Sequence, residues 1–206
     1  DGYEEIPAWI MQGYGTMAME AGEQLKAQGC ERPTHIFVQA GVGSLAGAVV
    51  GYFANLYADN PPTFVVVEAE AAACLYKGAA AGDGDIRIVD GDMQTIMAGL
   101  ACGEPNTISW DILKNHVKVF IAAPDWVAAN GMRMLAAPIK GDASITSGES
   151  GAAPFGALAA MTTLDEYEQL KKDIGLDENS RVLLFSTEGD TDPDRYKNIV
   201  WKGLDK

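Results

Sequence analysis

A short run of almost entirely apolar and β-branched residues, Thr63-Phe64-Val65-Val66-Val67, constrains the fold most strongly. A strand with one face in water alternates apolar and polar side chains, whereas an unbroken apolar run suits a parallel strand covered on both faces. Similar runs occur at 36–38, 117–121 and 181–185, with helical patterns between them. The sequence therefore predicts an α/β fold, an open three-layer and mostly parallel sheet with helices on both faces.

The helical patterns place apolar residues three and four positions apart and end at Pro, Gly or Asp. Predicted helices cover residues 7–28, 44–58, 69–80, 94–101, 109–115, 124–136, 149–161 and 164–173, and a weak strand is predicted at 86–89. Since no repeat or shift in composition marks a boundary, one domain is expected over 1–206. The chain opens with a loop and a helix rather than a strand, which favours an incomplete domain.

The composition excludes several classes of protein. The chain has 206 residues, 48% of them hydrophobic and 21% charged, which is typical of a globular protein rather than a disordered one. Its net charge of -14 at pH 7 repels phosphate backbones and anionic lipids, so neither nucleic acid nor membrane is expected as a partner. Without a long apolar segment or a signal-peptide pattern, a cytoplasmic protein is expected.

The cysteines and histidines do not predict a metal site. Cys30, Cys74 and Cys102 are too few and too widely spaced for a disulfide framework or a CxxC site, so they are expected to be reduced. A redox-sensitive pair of Cys74 and Cys102 stays open as an alternative. His35 and His116 stand at the edges of predicted strands without the spacing of zinc ligands, and we expect them to be structural.

A glycine turn, Gln39-Ala40-Gly41-Val42-Gly43-Ser44-Leu45-Ala46-Gly47, stands between a predicted strand and a predicted helix. Gly41 and Gly43 allow a sharp turn close to a ligand, and the helix start offers unpaired N–H groups, so a phosphate would fit there. Two alternatives remain. One is a plain tight turn, and the other is a dinucleotide-binding oxidoreductase domain in which Glu68, at the end of the next strand, would bind a ribose.

Two further segments place polar side chains where a parallel sheet binds ligands. The turn Ser186-Thr187-Glu188-Gly189-Asp190-Thr191-Asp192 directly follows the last predicted strand. The segment Ser147-Gly148-Glu149-Ser150-Gly151-Ala152 begins an Ala-rich helix. The structural alternatives are Asx turns before Pro193 and a helix cap at Ser147 or Ser150. A weak cation site in the acidic run 190–194 is a further alternative.

Taken together, these segments resemble a known family. Gly41-Val42-Gly43-Ser44-Leu45-Ala46-Gly47 looks like the phosphate-binding glycine loop of the fold-type II pyridoxal-phosphate enzymes, which are similar to tryptophan synthase β and include threonine dehydratase. The 186–192 turn is similar to the S-x-x-G-D-x-D turn of that group, and 147–152 resembles its E-x-[SA]-G-A helix start. Within the group, the segments 10–14, 39–43, 96–106 and 186–192 resemble the diaminopropionate ammonia-lyases, in the same order.

The resemblance implies pyridoxal 5'-phosphate as the cofactor and assigns a role to six residues. Its phosphate would be bound by Gly41, Val42, Gly43 and Ser44, its pyridine nitrogen would be hydrogen-bonded by Ser186, and Glu149 would line the crevice near its ring. Because the Ser186 hydroxyl is neutral, the ring nitrogen is expected to stay unprotonated. The implied reaction is β-elimination of the small amino-acid substrate 2,3-diaminopropionate to pyruvate and two ammonia. Threonine or serine dehydratase activity is the alternative within the family.

The resemblance also implies that residues 1–206 are the C-terminal portion of a longer homodimeric enzyme of amino-acid catabolism. Family members hold the cofactor as a Schiff base on a lysine in the N-terminal half, and no lysine here stands in such a motif. A catalytic aspartate is likewise expected upstream, so the chain alone is expected to be inactive. A non-catalytic module that only packs against another chain remains a third class of function.

Overall fold

The computed structural model of the chain describes residues 5–205, and a four-stranded sheet lies at its centre. The strands are β1 (His35–Gln39), β2 (Thr63–Ala69), β3 (Val117–Ala123) and β4 (Val182–Leu184). Their order across the sheet is β3-β2-β1-β4, and the described neighbours pair in parallel. The sheet confirms the predicted α/β class.

Helices cover both faces of the sheet. They are α1 (Glu5–Ala27), α2 (Ser44–Leu56), α3 (Cys74–Ala81), α4 (Thr107–His116), α5 (Asp125–Ala136), α6 (Glu149–Thr163), α7 (Glu168–Ile174) and α8 (Pro193–Val200), with 3-10 turns at Glu70–Ala72, Ala98–Leu100 and Asp165–Tyr167. Within 5–205, none of these helices has the length and apolar character needed to cross a membrane.

Two cores lie on opposite faces of the sheet, as an unbroken apolar strand requires. In β1, Ile36 and Val38 pack into one core together with α1 to α4. Phe37, between them, packs into the other core together with α5 to α8. Every residue of β1 is buried. Alternate side chains of one strand therefore pack against two different layers of helices, and the sheet between these layers completes the three-layer arrangement.

Between β2 and α4, the predicted strand 86–89 and the predicted helix 94–101 are wrong, and the predicted helix 69–80 is divided into two elements. Residues 86–89 do not form a strand, because the hydrogen bond from the Val89 N–H to the Gly103 carbonyl, at 2.9 Å, is an isolated contact and not part of a ladder. The predicted helix 69–80 is divided between a 3-10 turn and α3.

The predicted helix 94–101 shortens to the 3-10 turn Ala98–Leu100. The carboxylate of Asp125 accepts hydrogen bonds from the Thr95 hydroxyl and from the Ile96 N–H, the latter at 3.2 Å. Because this carboxylate comes from the start of α5, a contact distant in sequence replaces the local helical bonds of the segment.

Helix α8 stands in a segment for which the sequence analysis predicts no element, beyond the Asx turns before Pro193. Asp192 Oδ1 accepts a hydrogen bond from the Arg195 N–H at 3.0 Å, and Pro193 occupies the first turn. An Asp cap followed by Pro is a helix-start signal, and the turn interpretation overlooked it. The helix is docked by Ile199, which is buried in the core shared with α5. Arg133 of α5 also donates to the Ile199 carbonyl at 3.0 Å.

Helices α5 and α6 approach each other so closely that their backbones touch. A Cβ atom added to Gly156 would lie 2.0 Å from the Val127 carbonyl oxygen. On the facing helix, a Cβ atom on Gly131 would lie 2.5 Å from the Ala152 carbonyl oxygen. Both contacts are with backbone, which cannot move aside as a flexible side chain can. The packing of this layer therefore depends on glycine at both positions.

We predict that Gly156→Ala lowers the free energy of unfolding by roughly 2 kcal/mol or more, because the new methyl group overpacks the α5–α6 contact. Gly13→Ala is the matched control, since nothing lies within 4 Å of a Cβ atom at that position of α1. Alanine there should stabilise the helix by about 0.5–1 kcal/mol. Urea unfolding followed by circular dichroism measures both changes. Equal midpoints for Gly156→Ala and the unmodified protein would contradict the prediction.

Candidate functional site

A cavity of about 410 Å³ opens at the carboxyl ends of β1 and β4. From β1 the chain continues to β2 and β3 on one side, whereas β4 lies on the other side, so the strand order reverses here. Open α/β sheets bind ligands in the crevice at such a reversal. The cavity is lined by the glycine loop 41–45, by residues 99, 100 and 102, and by Tyr14, Gln39, Ser150, Thr187 and Glu188.

The glycine loop leaves the start of α2 open. Gly43 has φ +99°, in the left-handed region that favours glycine, and its added Cβ atom would lie 2.7 Å from Ser109 Oγ. It stands at the N-cap of α2, where no side chain accepts a hydrogen bond from the first turn. The first N–H groups of α2 and the positive end of its dipole can therefore serve an anion.

Asn106, at the N-cap of α4, holds the glycine loop in place through hydrogen bonds. Its backbone N–H donates to the Val42 carbonyl at 2.8 Å, and its side-chain Nδ2 donates to Ser44 Oγ at 2.9 Å. Its Oδ1 caps α4 by accepting from the Ile108 N–H at 3.0 Å. Because the Ser44 hydroxyl accepts from Asn106, its own proton is free to be donated to a ligand.

Residues 96–102 lie between the glycine loop and α6. A Cβ atom on Gly41 would lie 3.4 Å from the Gly99 carbonyl oxygen, so the two glycines face each other at van der Waals distance. The Gly99 N–H donates to Ser150 Oγ at 3.2 Å. The segment that fails to form the predicted helix therefore forms one wall of the cavity.

Gln39, the last residue of β1, joins that strand to the turn after β4. Its Nε2 donates to the Phe185 carbonyl at 2.9 Å and to Thr187 Oγ1 at 3.0 Å, on either side of Ser186. Only 2% of Gln39 is exposed, and its Oε1 is buried without a hydrogen-bond partner. An unpaired buried acceptor costs about 1–3 kcal/mol, so this atom is suited to accept a hydrogen bond from a ligand. Ser186 itself donates to Ser147 Oγ at 2.8 Å.

The start of α6 differs from the start of α2, because a carboxylate already occupies it. Glu188 Oε2 accepts from the Ser150 N–H at 2.7 Å and from the Gly151 N–H at 3.3 Å. Glu149 is nearly buried, and its Oε1 lies 3.1 Å from Arg195 Nε of α8 without forming a hydrogen bond. Burial raises the pKa of Glu149, and the negative charge of Glu188 raises it further, against the effect of Arg195.

Glu68, the predicted ribose-binding acid, has a structural role instead. It is 1% exposed, and its two oxygens accept from the N–H groups of Leu75 and Tyr76 at 2.8 and 2.7 Å, at the start of α3. Burial raises the pKa of Glu68 to about 7. Since both oxygens are used inside the protein, the structure argues against the dinucleotide-binding hypothesis.

The cysteines are free thiols. Cys74 is buried, and burial is the main cause that raises its pKa to about 12, so its thiol stays protonated. Cys102 is exposed, and its redox-sensitive pairing with Cys74 stays a prediction. His35 has a structural environment, with Nε2 2.9 Å from the Ile174 carbonyl. Across residues 5–205, no three His, Cys, Asp or Glu side chains converge as a metal site would require.

Comparison with known proteins identifies the family. The family model described as pyridoxal-phosphate dependent enzyme matches residues 2–187 of the chain. The chain belongs to this family of pyridoxal-phosphate dependent enzymes. The fold-type II architecture and the family named in the sequence analysis are therefore confirmed.

Curated relatives in this pyridoxal-phosphate dependent family are diaminopropionate ammonia-lyases. The chain is 53% identical to the one from Salmonella typhimurium over 203 residues, 98% of this chain and 50% of the relative. It is 48% identical to that of Escherichia coli strain K12, with the same coverage of both chains. The chain therefore spans about half the length of the curated relatives it matches.

Solved structures agree with this comparison. The diaminopropionate ammonia-lyase of Escherichia coli, in complex with an aminoacrylate-PLP azomethine reaction intermediate, superposes with a TM-score of 0.91 at 46% identity. The match covers 99% of this chain and 51% of that one. Maize serine racemase has a TM-score of 0.70 at 21% identity over 94% of this chain and 52% of its own, a similarity that concerns the fold alone.

The six predicted site residues divide into two groups. Those of the glycine loop, Gly41, Val42, Gly43 and Ser44, line the cavity directly. Ser186 and Glu149 adjoin lining residues, but their side chains contact Ser147 and Arg195. The sequence analysis assigned no role to Gln39 and Asn106, whose hydrogen bonds hold the loops of the site, or to Glu188, which caps α6. A signal existed only for Asn106, which stands at the N-cap position before an apolar-periodic segment.

The raised pKa of Glu68 predicts a pH dependence of stability. Its carboxyl titrates at about 7 in the folded protein against an ordinary value of 4.5, so the folded state holds the proton between these two values. The contribution of Glu68 is therefore fully present below about pH 4.5 and is lost as the pH rises through 7. Relative to Glu68→Gln, the protein should lose up to about 3 kcal/mol of unfolding free energy over that range.

Urea unfolding at several pH values between 4.5 and 7.5 measures this difference. Glu70→Gln is the control, because it makes the same substitution two residues further along at an exposed position. A difference between Glu68→Gln and the unmodified protein that stays constant across the range would refute the raised pKa.

Proposed function

We propose that this chain is the C-terminal portion of a pyridoxal-phosphate dependent lyase that converts 2,3-diaminopropionate to pyruvate and two ammonia. The relatives that carry the name diaminopropionate ammonia-lyase, at 48–53% identity over nearly the whole chain, support this substrate and reaction. Because the chain spans half of their length, we place the cofactor lysine and a catalytic aspartate in a further segment of the protein.

The observation that carries the proposal is the convergence of three loops on one cavity. The glycine loop after β1, the turn after β4 and the start of α6 border the same space at the reversal of strand order. Of the two helix starts there, only that of α2 is free of a carboxylate. The site therefore offers one place to an anionic phosphate, and that place is the loop of Gly41, Val42, Gly43 and Ser44.

The residues of this chain hold and orient the cofactor. Backbone N–H groups at the start of α2 and the Ser44 hydroxyl would donate to the phosphate. The Ser186 hydroxyl would donate to the ring nitrogen, and this neutral partner favours an unprotonated ring. The cofactor, when bound, supplies the electron sink that makes loss of the substrate α-proton possible. The family resemblance assigns Glu149 to the crevice near the ring, and the unpaired Oε1 of Gln39, which lines the cavity, can accept a hydrogen bond from the ligand.

We also propose a cytoplasmic homodimer acting in amino-acid catabolism. The three free cysteines support a reducing compartment, where disulfides are rare. Several large apolar side chains of α1 are exposed, among them Ile6, Trp9 and Ile10, which supports contact with a further part of the enzyme or with a second subunit.

We expect the natural gene product that contains this sequence, loaded with pyridoxal phosphate, to release two ammonia per pyruvate from 2,3-diaminopropionate. Pyruvate is measured with lactate dehydrogenase and ammonia with glutamate dehydrogenase. Serine and threonine are the comparison substrates, since a dehydratase would release one ammonia from each. Faster turnover of serine or threonine would favour the dehydratase alternative, and absence of cofactor binding would refute the proposal.

We predict that Gly43→Ala weakens cofactor binding by at least tenfold. Alanine is strained at φ +99°, and its Cβ atom would meet Ser109 Oγ at 2.7 Å, so the loop would have to move away from the phosphate. The matched control is Gly82→Ala, at the end of α3, where φ is +70° and nothing lies within 4 Å. The control should lose stability but keep the cofactor affinity, which is measured by absorbance titration. Equal affinities of the two variants would contradict a role of this loop in binding.

A further inference from the structure

Ser147 is a buried hydroxyl to which the sequence analysis assigns only a possible helix cap. It stands in the loop before α6 with 0% exposure. The structure gives its Oγ two hydrogen-bonding neighbours, Ser186 Oγ at 2.8 Å and the carbonyl oxygen of Gly148 at 3.5 Å. The second contact is at the limit of a hydrogen bond, so the contact with Ser186 is the strong one.

The hydrogen bond between the hydroxyls of Ser147 and Ser186 can run in either direction. In the structure Ser186 donates to Ser147, and the Ser147 proton points to the distant Gly148 carbonyl. Hydroxyl hydrogens rotate to suit their partners. When Ser186 turns its proton toward a ligand acceptor, Ser147 can turn its own proton from Gly148 to Ser186 Oγ. Ser147 then donates over 2.8 Å instead of 3.5 Å, and its buried hydroxyl keeps a partner.

The positions of the two oxygens are held from several sides. Gln39 fixes residues 185 and 187 on either side of Ser186. Glu188 ties the same turn to the first N–H groups of α6. Gly151 leaves the space that Ser147 needs, since a Cβ atom there would lie 2.9 Å from Ser147 Oγ. These contacts hold the chain on both sides of the pair, and rotation of the two O–H bonds is enough to reverse the hydrogen bond between them.

We propose that Ser147 is the positioning residue of Ser186, and that it donates a proton to Ser186 Oγ so that Ser186 donates its own to the unprotonated ring nitrogen of the cofactor. This inference rests on the proposed function, which supplies the ring nitrogen. In such a chain each hydrogen bond polarises the next, so the Ser186 hydroxyl becomes a stronger donor than an isolated serine. Ser147 thereby helps to set the electronic state of the ring without touching it.

A double-mutant cycle tests whether Ser147 acts through Ser186. Affinity for pyridoxal phosphate is measured by absorbance titration of the natural gene product and of its Ser147→Ala, Ser186→Ala and doubly substituted variants. We expect Ser147→Ala to weaken binding by roughly threefold to tenfold, the effect of one hydrogen bond. In the Ser186→Ala background the same substitution should change affinity by less than about twofold, because its partner is already gone.

A second readout follows the ring nitrogen itself. With cofactor labelled with ¹⁵N in the ring, the nitrogen signal of Ser147→Ala should shift toward that of an unprotonated pyridine without a hydrogen bond. A merely structural role of Ser147 would change thermal stability and leave this signal in place. Ser144→Ala is the matched control, since Ser144 is an exposed serine of the same connection, with its hydroxyl on the Ala136 carbonyl.

The outcomes separate this inference from the proposed function. If the unmodified protein does not bind pyridoxal phosphate, the proposed function fails. If it binds, but the two substitutions are additive and the nitrogen signal is unchanged, the role of Ser147 alone is refuted. Should Ser147→Ala fail to fold, Ser147→Cys replaces it in the cycle, because a thiol has similar size and is a much weaker donor.

Discussion

The side-chain amide of Gln39 is the interaction on which the geometry of the site depends. It donates to both residues that flank Ser186, and so it joins the end of β1 to the turn after β4. These strands border the reversal of strand order, and each is followed by a loop of the cavity. Because Gln39 stands two residues before Gly41, the glycine loop and the turn after β4 are both anchored to this one residue.

The proposed phosphate site lies in a strongly acidic protein, and it offers backbone N–H groups rather than cations. Among the described residues that line the cavity there is no Lys or Arg. The attraction must therefore come from the N–H groups and dipole of α2. Glu188 uses the same groups of α6 for its own carboxylate, so that helix start is closed to a second anion. This difference between two otherwise similar helix starts supports the proposed place of the phosphate at α2.

Local sequence predicts the sheet and the glycine loop, because apolar runs and glycines act through local geometry. It fails where a distant residue decides the structure. Asp125 draws residues 95 and 96 out of the predicted helix, and no pattern within 94–101 indicates that partner. Helix α8 is a different case, since Asp192-Pro193 is a local signal that was interpreted as a turn. Gln39 and Ser147 make their contacts across the site with residues distant in sequence, and no spacing in the sequence indicates these partners.

The charge of the site explains why a hydroxyl suits position 186. Glu188 follows two residues later, and it already contributes to the raised pKa of Glu149. A carboxylate at position 186 would add a third negative charge and would leave Ser147 as its buried hydrogen-bond donor. A neutral serine avoids this repulsion, and its proton can be donated in either direction. The unprotonated ring nitrogen therefore depends on this neutral hydroxyl partner, because the negative charges nearby would by themselves favour a protonated one.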